Sequence, residues 1–215
     1  MAAILRALQG GLESIYRVES ALDIRDFLLE EEQREELAPE RRPREQLLLR
    51  QEGEEVEIGL YVDERTLVHL QANDPRRRLD EQNLPDFLLA VEGVSHFVYL
   101  SYRARQERPV SAVELELQAE IDKYLVVLLV AWTQEGQPPR RLRERLFQAI
   151  RFHGDLSDEE RDRYQLANQA ADRYAESLEE RYIHQRSLEP LLAEVRQFYR
   201  KGLSEKLGYI EKLAA

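Results

Sequence analysis

Cysteine is absent from the 215 residues, which excludes disulfides, thiolate nucleophiles and every cysteine-ligated zinc or iron–sulfur site. Long apolar runs are absent too. The longest, Tyr124 to Trp132, is nine residues, well short of the roughly 18 that a membrane span requires, so no membrane insertion is expected. The opening Met1 to Gly11 holds Arg6 and Gln9 in a short helical pattern and lacks a basic stretch followed by an apolar one; no secretion signal is expected, and the location is read as cytoplasmic. Phosphate-cradling glycine patterns are missing: neither G-x-x-x-x-G-K-[ST] nor G-x-G-x-x-G occurs, and the only adjacent glycines, Gly10-Gly11, fall in an amphipathic segment. Lysine is scarce. Lys123, Lys201, Lys206 and Lys212 are the only lysines among 31 basic residues, so arginine carries most of the positive charge.

What is present is a mixed-sign, core-forming composition. With 43% hydrophobic and 34% charged residues, the chain can bury a sizeable interior and is not a disordered polyelectrolyte. Acids outnumber bases by 42 to 31, a net charge of −11 that repels polyanions, so nucleic acid is not expected as a partner.

Periodicity organises the chain into N-terminal helices over 1–39, an α+β core over 40–135 and a helical region over 136–215. Ile4, Leu8, Leu12, Ile15 and Tyr16 recur at helical spacing, and Ser20 to Asp23 has the form of an N-cap for a second helix running into Glu30–Glu36. The period then falls to two. Gln46–Gln51 and Glu55–Val62 read as strands joined by an Glu52-Gly53 turn. Asp63 caps a short helix through Gln71, and Asn83 with Pro85 opens another that closes at Gly93. Ser95 to Arg105, apolar on both faces, reads as a covered central strand. Beyond it, Ser111 with Glu114 starts a helix whose second half is apolar all round, Pro138-Pro139 starts one ending at Gly154, and Ser157 with Glu160 starts a long one. Tyr164, Ala167, Ala171, Tyr174 and Leu178 face Leu188, Leu192, Val195, Tyr199, Leu203, Leu207 and Ile210. The expected fold is therefore α+β and mostly helical: a small antiparallel sheet of about three strands packed by helices, with a long C-terminal antiparallel helical hairpin that projects from the body.

Candidate chemistry is sparse. Of the four histidines, His69 and His184 read as helix-surface residues and His153 as a capping residue at a helix stop; no pair has zinc-ligand spacing. His96 follows Glu92 at the mouth of the expected central strand, where pockets collect polar groups. Ser95 cannot serve it as a nucleophile, because neighbours on a strand point to opposite faces. Glu116 and Glu120, one helical turn apart with Lys123 beyond, repel each other unless a cation, a proton or a metal lies between them. Glu92, His96, Glu116 and Glu120, with Asp63 as a further candidate, are thus the polar cluster an enzyme or metal reading would use. The plainer expectation is that the first turns of this helix protrude and that solvent or Arg103 neutralises them, with no catalytic set, metal or cofactor. Three arginine groups, at 41–44, 76–78 and 140–145, read as solvated and salt-bridged.

The function expected is that of a non-catalytic protein that associates with another protein or with itself through its helical surface. Tyr164, Tyr174, Tyr182, Tyr199 and Tyr209, half of the ten tyrosines, would supply the contact area. An enzyme with the carboxylate–histidine cluster, or a nucleic-acid accessory factor using the arginines, is the alternative.

Overall fold

The apolar stripe near the start of the chain forms α1 (Ala3–Tyr16), across Gly10-Gly11 without a break. It ends where Arg17 takes a left-handed conformation, φ 52°, and Val18 N–H donates to the Glu13 carbonyl at 3.0 Å. The computed structural model describes residues 2–40, 42–52, 55–148 and 157–213. The second helix expected from Ser20 onward is replaced by a short 3₁₀ turn (Ile24–Phe27), a two-residue strand β1 (Leu28–Leu29) and a helix α2 (Glu31–Leu37). Glu30 and Gln33 form the capping box of α2, so the acidic run starts its own helix instead of extending one.

β2 (Glu45–Glu52) and β3 (Glu55–Val62) pair antiparallel in the register Leu47↔Leu60 and Leu49↔Ile58, the hairpin expected from the alternation; its turn residues Gly53 and Glu54 lie outside the described set. β1 pairs parallel with β3, Leu28 opposite Leu60. The sheet is therefore three-stranded and mixed, in the order β1-β3-β2, and not purely antiparallel. Asp63 caps α3 (Glu64–Ala72) by accepting from Arg65 N–H at 2.7 Å.

The largest correction concerns Ser95 to Arg105. This segment is the second half of α4 (Leu84–Ala104), which runs straight through Gly93. Aromatic and β-branched residues on both faces suit a covered strand, but they suit equally a helix enclosed on all sides. Val94 through Ser101 are all buried, so this is such a helix. α5 (Ala112–Glu135) starts at Ser111, whose hydroxyl accepts from Glu114 N–H at 3.2 Å, and stops at left-handed Gly136. The Glu114 side chain does not complete a capping box; it turns into the core. The stretch after Pro138-Pro139 contains a π-helical turn (Glu144–Gln148), and Gly154 and His153 lie outside the described residues.

α6 (Asp158–Leu178) begins with the full Ser157–Glu160 capping box and packs along α5. A π turn (Glu179–Ile183) leads to α7 (Leu188–Tyr199) and α8 (Leu203–Leu213), so the return arm of the hairpin is broken around Arg200–Gly202. The hairpin does not project. Tyr174 of α6 stacks on Phe198 at 3.9 Å between ring centroids, and Tyr199 of α7 stacks on Tyr16 of α1 at 3.8 Å. One continuous apolar cluster takes in Leu5, Leu60, Val98, Leu125, Tyr174 and Ile210.

Candidate metal centre

Helical spacing of four places Glu92 and His96 on one face of α4, and Glu116 and Glu120 on one face of α5. These faces meet. β2 closes the third side with its first residue, Glu45. It can approach because residue 93 is glycine: a Cβ there would lie 2.9 Å from Glu45 Cγ and 3.1 Å from Leu60 Cδ1. His96 sits between two carboxylates, with Nδ1 3.6 Å from Glu45 Oε1 and Nε2 3.7 Å from Glu116 Oε2. Lys123 Nζ donates to Glu92 Oε2 at 3.0 Å and to Glu120 Oε1 at 2.7 Å.

All four residues singled out from the sequence are therefore together, and the first turns of α5 do not protrude: Glu114 is 3% exposed and Glu116 8%. Asp63 is not among them, since it caps α3. Glu45 was missed because it belongs to a strand remote in sequence, and nothing local marks it.

Among the described residues, the cluster is short of positive charge. Four carboxylates face one ammonium and one imidazole, and charges removed from water need partners. Burial raises the Glu45 carboxyl against the opposing pull of His96, and raises Glu120 against that of Lys123. Burial acts the same way on Glu92, but Lys123 and His96 outweigh it and its pKa falls. Burial disfavours the His96 imidazolium, yet Glu116 and Glu45 reverse the balance and hold its pKa well above the usual value. Tyr164 of α6 borders the site: burial raises its phenol, and the charges of Glu116 and Glu92 add to the effect.

Among the described residues, two buried atoms in the cluster have no hydrogen-bond partner, His96 Nε2 and Glu45 Oε1. Ligand atoms of Glu92, His96 and Glu116 lie within 4.8 Å of one another. Donors around a cation bound at about 2.1 Å are roughly 3–4 Å apart, so small side-chain rotations bring this set to bonding geometry.

A second polar group occupies the other face of the same two helices. Asp122 accepts from Ser95 Oγ at 2.6 Å, from Gln118 Nε2 at 2.8 Å and from the Tyr16 hydroxyl. Lys206 of α8, fully buried, donates to Gln118 Oε1 at 2.7 Å and to the Tyr99 hydroxyl at 2.8 Å, and Tyr99 donates to Glu114 at 2.5 Å. Burial lowers Lys206 to about 7 and raises Asp122 to about 6.

The remaining candidates are dispersed. His69 Nδ1 contacts Asp86 Oδ2 at 2.6 Å on the surface. His184 is exposed. The arginine groups meet their own acids: Arg44 with Asp86, Arg76 with Asp74, and Arg143 with Asp172, Glu176 and Glu179. Of the five tyrosines expected to offer contact surface, Tyr174 and Tyr199 are interior, and Tyr164, Tyr182 and Tyr209 are partly buried. No family model, no curated protein and no solved structure matches this chain.

Proposed function

We propose that this is a metal-binding protein that holds one divalent transition cation between α4 and α5, through Glu92, His96 and Glu116. The observation that carries the reading is the unpartnered His96 Nε2, buried and directed at Glu116 in a pocket with surplus negative charge. In this arrangement neutral His96 binds through Nε2, while Nδ1–H faces Glu45, the outer carboxylate that commonly orients a ligating imidazole. Lys123 stands between Glu92 and Glu120 where a second cation would sit, which favours a mononuclear site. Two carboxylates and one imidazole suit Mn(II), Fe(II) or Zn(II) over Ca(II) or Cu(I).

A metal-free explanation is a protonated His96 bridging Glu45 and Glu116. It leaves separations of 3.6 and 3.7 Å, against about 2.7–2.9 Å for charge-assisted hydrogen bonds, and still leaves the carboxylates in excess. His96 and Glu116 are both buried, which favours a cation locked in the core over one presented to a substrate. Association through the hairpin has less support, because its central tyrosines point inward.

Elemental analysis of protein purified from medium supplemented with Mn, Fe and Zn tests the proposal. Stoichiometric metal that is lost in His96→Ala and Glu116→Ala, both still folded by circular dichroism, supports it. Metal-free protein that also shows no thermal shift on titration with all three ions overturns it.

A further inference from the structure

The C-terminal ends of α1, α4 and α7 converge on an open cleft of about 620 Å³, lined by Arg17, Glu19, Tyr102, Arg105 and Arg200. Half-buried Arg196 adjoins it. These arginines are held by main-chain carbonyls: Arg105 Nη1 donates to Glu19 O at 2.6 Å, Arg196 Nε to Ile15 O at 2.7 Å and Arg200 Nη2 to Tyr16 O at 3.2 Å. The Arg17 guanidinium makes no hydrogen bond, and none of the four forms an ion pair, among the described residues. In a chain with 42 acids to 31 bases, where the other arginine groups have found carboxylates, this is an anomaly. Three helix C-termini supply roughly half a negative charge each and Glu19 one more, which leaves the guanidinium groups in excess. Their mutual repulsion is felt at Arg196, whose pKa is lowered by burial and then by Arg17 and Arg200.

We propose that this cleft binds the phosphate group of a small ligand, inorganic phosphate or a phosphate monoester, between Arg17, Arg105 and Arg200. Guanidinium forks match phosphate oxygens in geometry and charge. The net charge of −11 repels an extended polyanion, whereas a compact anion feels mainly the local field. Tyr102 forms the wall on which the organic part of an ester would lie. The site is remote in its residues from the metal ligands and does not depend on them.

Calorimetric titration of the full chain at low salt, with inorganic phosphate, phenyl phosphate and a single-stranded oligonucleotide, tests this. Saturable phosphate or phenyl phosphate binding, weakened about tenfold by Arg17→Ala and by Arg105→Ala, is the expected result. Arg17 is exposed and its side chain makes no hydrogen bond or ion pair among the described residues, so a loss of binding in Arg17→Ala with an unchanged circular dichroism spectrum cannot be ascribed to misfolding. If Tyr102→Ala weakens phenyl phosphate alone, the natural ligand is an ester; if phenyl phosphate binds no more tightly than phosphate, it is the free anion. No saturable binding of either compound, or binding that both arginine variants retain, overturns the proposal. So does an oligonucleotide that binds more tightly than phenyl phosphate with the same arginine dependence.

Discussion

The two faces of the α4–α5 pair carry polar groups of similar kind, yet they are finished differently. On the Asp122 side, the side-chain polar atoms of Tyr16, Ser95, Tyr99, Gln118 and Lys206 are all paired, α8 contributes a cation to the set, and only at its edge, where Arg103 lies 3.6 Å from Glu114, do two guanidinium nitrogens lack a partner among the described residues. On the His96 side, separated by single steps along the same helices, an imidazole nitrogen and a carboxylate oxygen remain unpaired. A satisfied network stabilises and orders a core, whereas a half-satisfied one is costly unless something else completes it. The contrast lies within one pair of helices and one dielectric environment. It therefore says more than the acidity of either cluster alone: the first group is structural, and the second has the form of a ligand set.

The largest effect is expected from breaking the closed face. Asp122→Ala leaves three donors without their acceptor and the buried Lys206 ammonium without a nearby countercharge, and such a loss costs about 3–5 kcal/mol; urea unfolding will show it as a fall in midpoint with little change in slope. Glu45→Gln in chelator-treated protein keeps the side chain's shape, removes one of the surplus carboxylates and will fall well below that. Equal losses would mean the two faces are equivalent, contrary to the comparison. Next in size is the cation. With free metal about 100-fold above its Kd, the folded state gains about 2.7 kcal/mol, so EDTA treatment lowers the melting temperature of wild type and leaves Glu116→Ala unmoved.

The closed face also sets a pH dependence. Lys206 faces Glu114, Gln118 and Asp122 on α5, Tyr99 and Arg103 on α4 and Phe198 on α7. Its folded pKa, about 7 against an ordinary 10.5, means the unfolded chain binds the extra proton between those values. Stability from this group therefore rises with pH above about 7, by roughly 2 kcal/mol up to pH 9. Asp122, raised to about 6 by burial, acts in the opposite sense: below pH 6 the folded chain retains a proton the unfolded one has lost, so stability falls as pH climbs from about 4 to 6. Unfolding measured at pH 6.5, 8 and 9 will show the rise in wild type and its flattening in Lys206→Met.

How far these features could be read from the sequence depends on whether their geometry is local. Glu116, Glu120 and Lys123 stand at helical spacing in a strongly capped helix, and their proximity followed from that alone. Glu92 and His96 read as neighbours even with Glu92 in a helix that closes at Gly93 and His96 at the mouth of a strand; an i, i+4 pair on one helix joins them more firmly than that junction does. Lys206 left a trace that went unused: it is one of four lysines and lies between Leu203 and Ile210 on the buried stripe of α8. Glu45 and the arginine cleft left none, because each is assembled by packing between elements far apart in the chain. The hairpin's inward turn was equally hidden. Tyrosines at helical spacing look the same whether they meet a partner or Tyr16 and Phe198 of their own molecule.

The smallest expected effect is also the most discriminating, because its sign reverses with metal. Glu116→Gln keeps the shape of the open face and removes one of its surplus negative charges. In chelated protein the variant will be more stable than wild type by about 1 kcal/mol, since burial of uncompensated carboxylates is relieved. In metal-loaded protein it will be less stable, because a neutral amide is a poor ligand for a cation that prefers carboxylate. Thermal denaturation of both proteins with and without EDTA reads the two signs directly. If Glu116→Gln destabilises in both conditions, the carboxylate is paired as securely as Asp122, and the distinction between the two faces fails.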